Sequence, residues 1–328
     1  MRRRHFLGVF VSAAAWPLLS GAQPAEAQRR IGILMAYAAT DAEAKSRVDA
    51  FIAELGKLGW SDGKNIRLDF RWSGGDTDRI AAHAAELVAA QPAVIFAATT
   101  PVVRALLKET RTVPIVFVSV SDPVGDRFVQ SLAQPGGNAT GFINIEASMA
   151  GKWVELAKEL APGIERVCIV FNPKTAAGAG NYFLPPFRVA AQTMRLEAVQ
   201  LPVQEPSEFE QAVASVGKTS ALIVMPDSYN VVHRGKIIEL AARQRVPAVY
   251  PYRYMAVEGG LMSYGVDLTD MYRRSASHVD LILRGRQPRD LPIQAPVKFE
   301  LVINQRTARK LGIEVPPRLL ARADEILE

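Results

Sequence analysis

Apolar residues recur along this chain in two alternating rhythms. Short solid runs come first, as in "RRIGILMAY", "AVIFAATT" and "PIVFVSVSD". Runs rich in Ile, Val and Phe with no polar face predict strands covered on both sides. Longer stretches at helical spacing lie between them. "AEAKSRVDAFIAELGKLGW" puts Val48, Phe51, Ile52, Leu55 and Leu58 on one helix face, and "DTDRIAAHAAELVAAQ" opens on Asp76 or Thr77 as a helix cap. "DGKNIRLDFRW" alternates Ile66, Leu68 and Phe70 and predicts another strand, while "PVVRALLKET" predicts a short helix. This alternation argues for an α/β fold with a parallel sheet flanked by helices.

The pattern then restarts. After the turn at "QPGGNATG" come a helix in "MAGKWVELAKELAP", a strand in "RVCIVFNP" and a helix in "NYFLPPFRVAAQTMRL". "EAVQLPV", "SALIVMPD" and "VPAVYPY" predict strands, with helices in "PSEFEQAVASVG" and "VVHRGKIIELAARQR" between them. The chain thus holds two α/β units of like architecture, one before about residue 141 and one after it. In the tail, "GGLMSYGVDLTDMYRRSASHVDLILRG" predicts a strand and a long helix. Three extended pieces, "GFINIE", "GLMSYG" and "KFELVIN", are placed to pass between the units and build a hinge of three segments. The expected division is a signal peptide over 1–27, a first lobe of 28–141 plus about 265–295, and a second lobe of 142–264 plus about 296–328.

Composition is that of a globular chain: 328 residues, 49% hydrophobic and 22% charged. The formal net charge is +6, but there is no long basic run and no basic-aromatic interleaving, which argues against nucleic acid as a partner. The N-terminus "MRRRHFLGVFVSAAAWPLLSGAQPAEA" has a basic start, an apolar middle and a small-residue end. It reads as an export signal cleaved after Ala25-Glu26-Ala27, before Gln28. Arg3-Arg4-His5-Phe6-Leu7 also fits the twin-arginine route, an Arg-rich secretory signal being the alternative. Its apolar middle is short for a membrane span, and no later stretch is long enough either. Cys168 is the lone cysteine and sits in an apolar strand, so it reads as core.

The strand ends carry the chemistry. Each apolar run closes on polar residues or proline: Tyr37 after the first, Thr99 and Thr100, Ser121 and Asp122, Asn172, then Asp227 and Ser228, and finally Tyr252. In open α/β sheets, ligands bind outside the carboxyl ends of the strands. Any one of these residues also suits a simple helix cap, but the set spans both units and points to one shared cleft. Catalytic motifs are missing. "GGLMSYG" lacks the first Gly of a nucleophile elbow, "GAGNYF" is no dinucleotide turn, and there is no phosphate-binding loop. His83, His233 and His278 show no metal-ligand spacing. Asp122 and Asp227 remain an acid/base pair on paper. The expectation is a binding protein without metal or cofactor rather than an enzyme.

Five long strings carry a further observation: "ELGKLGWSDGKNIRLDFRWSGGDTDRI", "PIVFVSVSDPVG", "LAQPGGNATGF", "RQRVPAVYPYRYMAVEGGLMSYGVDLTDMYRRSASHVDLILRG" and "PVKFELVINQRTARKLGIEVPPRLLARADEIL". In these the chain resembles the periplasmic substrate-binding proteins of ABC transporters, of the type I fold, in the branch that includes tryptophan- and tyrosine-binding members. The resemblance implies two Rossmann-like lobes joined by three crossovers, which clamp a small solute and deliver it to a permease with its ATPase. It implies a periplasmic monomer. By the same resemblance, Thr99, Thr100 and Ser121 would hold a carboxylate and Asp122 or Asp227 an ammonium. Asn172 would join from the second lobe, and Tyr37, Tyr182 and Tyr252 would stack on the solute. The first strand tip, "AYAATD", departs from the Ser- and Gly-rich loop of the family. Its bulky Tyr37 favours a planar or apolar ligand face, such as an aromatic carboxylate. A ligand sensor for a membrane receptor and a secreted enzyme on the same scaffold are the competing readings.

Overall fold

The computed structural model describes residues 28–328. The expected signal segment and its cleavage site lie outside the described residues.

The first lobe winds β1 (Arg29–Met35), α1 (Ala42–Lys57), β2 (Ile66–Trp72), α2 (Thr77–Ala89), β3 (Val94–Ala98), α3 (Thr100–Glu109), β4 (Ile115–Val120) and β5 (Ala139–Ile143) into a five-stranded sheet. All its pairs are parallel, in the order β2-β1-β3-β4-β5. β3 and β4 are buried along their whole length, as their unbroken apolar runs demand. Asp41 and Asp76 cap α1 and α2, each accepting from backbone N–H groups of the first turn.

The second lobe follows with α4 (Met149–Leu160), β6 (Arg166–Phe171), α5 (Leu184–Thr193), β7 (Glu197–Pro202), α6 (Glu208–Ala214) and β8 (Ser220–Val224). It continues through α7 (Ser228–Val232), α8 (Arg234–Arg243), β9 (Ala248–Tyr250), α9 (Arg253–Val257) and β10 (Met262–Val266). After α10 (Leu268–Leu283) come β11 (Phe299–Asn304), α11 (Gln305–Leu311), α12 (Pro317–Leu320) and β12 (Glu325–Leu327). The seven-stranded sheet runs β12-β11-β10-β9-β8-β6-β7, and only the β10/β11 pair is antiparallel. The architecture is α/β with two lobes.

The two sheets share one connectivity. The first five strands of each follow a 2-1-3-4-5 order, so the direction of winding reverses between β1 and β3 and again between β6 and β8. A crevice forms at such a reversal, outside the carboxyl ends of the strands.

The chain changes lobe three times: after β5, between β10 and α10, and before β11. α10 belongs with the first lobe, where it packs along α1 and against β3, β4 and β5. Gln294 bridges to Phe142 of β5 before the chain leaves for the last time. Here the structure differs from the sequence expectation. "GLMSYG" and "KFELVIN" supply β10 and β11, whereas "GFINIE" ends β5 at Ile143 and continues through Asn144–Glu146 as the first crossing, and the other two crossings are the short irregular pieces beside the strands. "VVHRGKIIELAARQR" is also broken, into α7 and α8 at His233. β12 covers the outer edge of β11 and had no clear signal in the sequence.

Cys168 lies wholly buried in β6, and burial pushes its thiol up to about 11, which suits a packing role. Among the described residues, no helix is long and apolar enough to cross a membrane. The described residues also hold no cluster of three or more His, Cys, Asp or Glu side chains suited to a metal ion.

Candidate functional site

The winding reversals of the two sheets face each other across the seam between the lobes. Tyr37 follows β1, Thr99 follows β3, Thr175 follows β6 and Asp227 follows β8, and all four line one cavity. Of the residues expected from the sequence, that cavity gathers Tyr37, Thr99, Thr100, Ser121, Asp227, Ser228 and Tyr252. It is small, about 10 Å³, with room for about one water molecule. As it stands it holds no organic solute.

Backbone strain marks the first-lobe wall. Thr99, at the N-terminus of α3, has φ 92° and ψ 155°, a region that β-branched residues avoid at a cost of about 1–3 kcal/mol. Its backbone N–H is held by Val118 O at 3.0 Å, yet its buried Oγ1 has no hydrogen-bond partner in the protein. Ser119 is a second case, with φ 58°. The β4/β5 register slips between Phe117 and Val120, and such an irregularity re-aims the side chains beside it. It brings Ser119 to the cavity wall, where its Oγ is also buried without a partner. Sequence reasoning missed Ser119 because it sits inside the apolar run. Only its polarity at a buried position hinted at a role.

Asn144 ties the wall together. Its Oδ1 accepts from Ser121 Oγ at 3.0 Å and from Ile145 N at 2.9 Å, and its Nδ2 donates to Tyr252 Oη at 2.9 Å. The last bond joins the lobes at the first crossing. A second junction is ionic: Arg234 Nη1 lies 2.7 Å from Asp41 Oδ2, with the two side chains 15% and 10% exposed. Arg234 is fixed by Glu258 through Nε at 3.0 and 2.8 Å. Burial, the largest influence on Asp41, acts to raise its pKa. The Ala44 N–H and Arg234 outweigh it and hold the carboxyl below its ordinary value.

Three expected residues stand outside the cavity lining. Asp122 turns back on its own loop, with Oδ1 accepting from Gly125 N at 2.8 Å. Asn172 uses its side chain on Lys174 N at 2.8 Å, an Asx turn. Tyr182 packs edge to face on Phe183 at 4.9 Å, and its hydroxyl sits beside the Ala147 backbone. Asp227 does line the cavity, but its carboxylate is committed elsewhere. It accepts from Asn230 N at 2.8 Å, Thr175 Oγ1 at 3.1 Å and Asn172 N at 3.1 Å. Those bonds brace α7 against the β6 loop. They use three of the about four acceptor sites of a carboxylate and leave its charge in place, and Asp227 is the one charged residue in the cavity lining, with Asp122 outside it. Asp227 is 3% exposed, and burial pushes its carboxyl up to about 6 against these donors.

Behind Tyr37 and Tyr252 lies a residue that the sequence did not single out. Arg47 of α1 is 1% exposed, and neither Nη1 nor Nη2 has a hydrogen-bond partner in the protein. Its Nε donates to Glu43 O at 2.9 Å. The guanidinium lies 5.5 Å from the ring centre of Tyr37, 5.1 Å from Tyr254 and 5.8 Å from Tyr272. Three such contacts, at about 0.5–2 kcal/mol each, offset part of the several kcal/mol that burying a charge costs. Arg47 shares its helix with the apolar stripe of Val48, Phe51 and Leu55, so by spacing alone it reads as a flank residue with its charge in water.

Comparison with known proteins identifies the family. A curated relative, the tyrosine-binding protein of Clostridioides difficile (strain R20291), is 27% identical over 293 residues, which covers 88% of this chain and 82% of the relative. A solved structure of a conserved domain protein from Vibrio cholerae superposes with a TM-score of 0.84 at 26% identity, covering 91% of this chain and 99% of that one. A structure of an ABC domain in complex with L-Trp from Streptococcus pneumoniae gives a TM-score of 0.83 at 24% identity, with 92% and 100% covered, and so shares the fold. The family model described as ABC transporter substrate binding protein matches residues 35–327. With nearly all of its described length inside that match, the chain belongs to the ABC transporter substrate-binding protein family.

Proposed function

We propose that the protein is the extracytoplasmic binding component of an ABC importer. It clamps a small organic solute, an amino acid or an aromatic carboxylate, in the seam between its lobes and hands it to a membrane permease driven by an ATPase. In this reading residues 28–141 with about 265–295 move as one body, and 142–264 with about 296–328 as the other. The chain is exported to the periplasm by its N-terminal segment and works as a monomer. The observation that carries this reading is the seam cavity. Strand tips from both lobes meet there, and the buried Oγ atoms of Thr99 and Ser119 lack partners. A hydroxyl buried without a partner is costly, and a bound ligand that pairs with it removes the cost.

The tyrosine- and L-Trp-binding relatives support an aromatic solute, and so do Tyr37 and Tyr252 in the cavity wall. The small closed cavity supports a clamp, since opening must precede entry. A catalytic role gains nothing from the site: Asp227 and Asp122 are both engaged in local structure. The test is a thermal-shift screen of the mature protein against aromatic amino acids, branched amino acids and aromatic acids. A ligand that binds only the folded form raises Tm by mass action. A rise with an aromatic compound that vanishes in Ser119→Ala/Tyr252→Phe supports the reading. A screen with no rise for any compound overturns it.

A further inference from the structure

The first lobe carries a second concave surface, away from the seam. It is a groove of about 380 Å³ beside α1 and α10, far roomier than the seam cavity. That volume falls in the range of small-molecule sites, about 300–1,000 Å³. Leu58, Phe142 and Leu281 supply its apolar surface, and Arg273, Arg274 and His278 lie beside them. Leu281 is left exposed there. The lining comes from α1, β5, α10 and Gln294, all on the first lobe.

The charges around this groove do not cancel. Arg273 Nη1 lies 3.0 Å from Asp270 Oδ1, and Arg274 Nη1 lies 4.0 Å from Oδ2 of the same carboxylate. Two guanidiniums therefore share one acid. Glu54, the carboxylate in the lining, is taken by Lys57 at 2.8 Å. Three cations thus stand against two carboxylates. His278 leaves this balance alone: its ring nitrogen Nε2 meets Pro292 O at 3.1 Å, and burial holds its pKa below the ordinary value. Arg274 also lies over the Phe142 ring, 5.6 Å from its centre. Surplus positive charge and open apolar surface therefore adjoin.

We propose that this groove is a second binding site, for a small organic anion with a flat apolar body. The body lies against Leu58, Phe142 and Leu281, and the anionic end pairs with Arg273 and Arg274. Seating it removes apolar surface from water and supplies the acceptor that two guanidiniums sharing one acid lack. The site does not rest on the solute reading of the seam.

The probes are 2-naphthoate, 2-naphthamide and 2-naphthylmethylamine, one ring system with an anionic, a neutral and a cationic end. Titration calorimetry uses the mature protein, as wild type and as Ser119→Ala/Tyr252→Phe, in which the seam is disabled. In both, the naphthoate should bind about two- to fivefold more tightly than the amide, the range of partly exposed ion pairs. The amine should bind more weakly than either, and added salt should narrow the gap between acid and amide. Arg273→Gln/Arg274→Gln should erase that gap. Leu281→Glu, at an exposed helix position that tolerates substitution, should weaken the naphthoate by a similar factor. Circular dichroism confirms that the variants fold. Equal binding of acid and amide in the wild type, or preference for the amine, overturns the anion assignment. Naphthoate binding that is lost in Ser119→Ala/Tyr252→Phe belongs to the seam and overturns the second site. Unchanged binding in folded Leu281→Glu and Arg273→Gln/Arg274→Gln overturns its location. Binding of none of the three overturns the proposal and leaves the seam reading untouched.

Discussion

Asp41→Asn isolates the ionic junction between the lobes. Asp41 does two things in the wild type. Its Oδ1 caps α1 by accepting from Ala44 N at 3.0 Å, and its Oδ2 receives Arg234 Nη1 of the second lobe at 2.7 Å. Asn serves as well as Asp at a helix cap, so the substitution keeps the first function and removes the charge from the second. The side chains are only 10% and 15% exposed, so this pair is worth more than a surface ion pair. A hydrogen bond to a charged group contributes about 1.5–3 kcal/mol, and partial exposure sets the expected loss near 2 kcal/mol. That shifts the balance between apposed and parted lobes by about 30-fold toward parting.

Single-molecule energy transfer between dyes on Lys108→Cys and Lys218→Cys reads the shift. Both positions are exposed and lie on opposite lobes, while buried Cys168 does not compete for label. Asp41→Asn should populate longer separations and weaken any solute whose binding needs the closed form, with a Tm little changed. Because Asp41 titrates below its ordinary value, its junction contributes at neutral pH and is lost only as pH falls through that depressed value. An unchanged distance distribution, with α1 still capped, would refute the claim that this pair holds the lobes together.

Asp227 should couple stability to pH in the opposite sense. Its folded value of about 6 stands above the 3.8 of an ordinary aspartate, so the folded state binds a proton more readily. The contribution is full below the unfolded value and lost as pH rises through about 6, to a limit of about 3 kcal/mol. Denaturant melts of wild type against Asp227→Asn from pH 4 to 7.5 should show the wild type gaining on the variant as pH falls, and a flat difference would contradict this. Thr99→Gly should relieve the strained φ of 92° and raise stability by about 1 kcal/mol, while weakening solute binding through loss of the hydroxyl. If chemical denaturation shows no gain, the strain is not stored there. Gly265→Ala places a Cβ 1.7 Å from Pro251 O and should destabilise by about 3 kcal/mol or more through backbone displacement. A variant with wild-type Tm would show that β9 and β10 separate freely at this point.

The strands and most helices were legible in the sequence because two-sided burial leaves long apolar runs and capped helices leave Asp at their starts. Hence the agreement at β3, β4 and α2. The strand-tip rule found the cavity region for a similar reason: proline and polar residues after a buried run mark where a strand stops, whatever lies beyond. What the rule lacks is direction. Asp122, Asn172 and Asp227 carry the right chemistry at the right tips, but short side chains near backbone N–H groups turn inward to close loops, and their sequence positions do not reveal this. Ser119 was hidden by a register slip, which has no period of its own. Arg47 was hidden because its helical spacing puts it beside the apolar stripe. Only the tyrosines arriving from α9 and α10, far away in sequence, turn that position from a wet flank into a buried one.

The central claim is that solute is held where the two lobes meet. The direct measurement is a crystal structure of the mature protein with the aromatic compound that most raises its Tm. The account predicts density between Tyr37 and Tyr252, within reach of Thr99 and Ser119. A wider groove of about 380 Å³ lies off the seam beside Phe142, His278 and Arg274. Density there, with the seam cavity closed and unchanged, would contradict it.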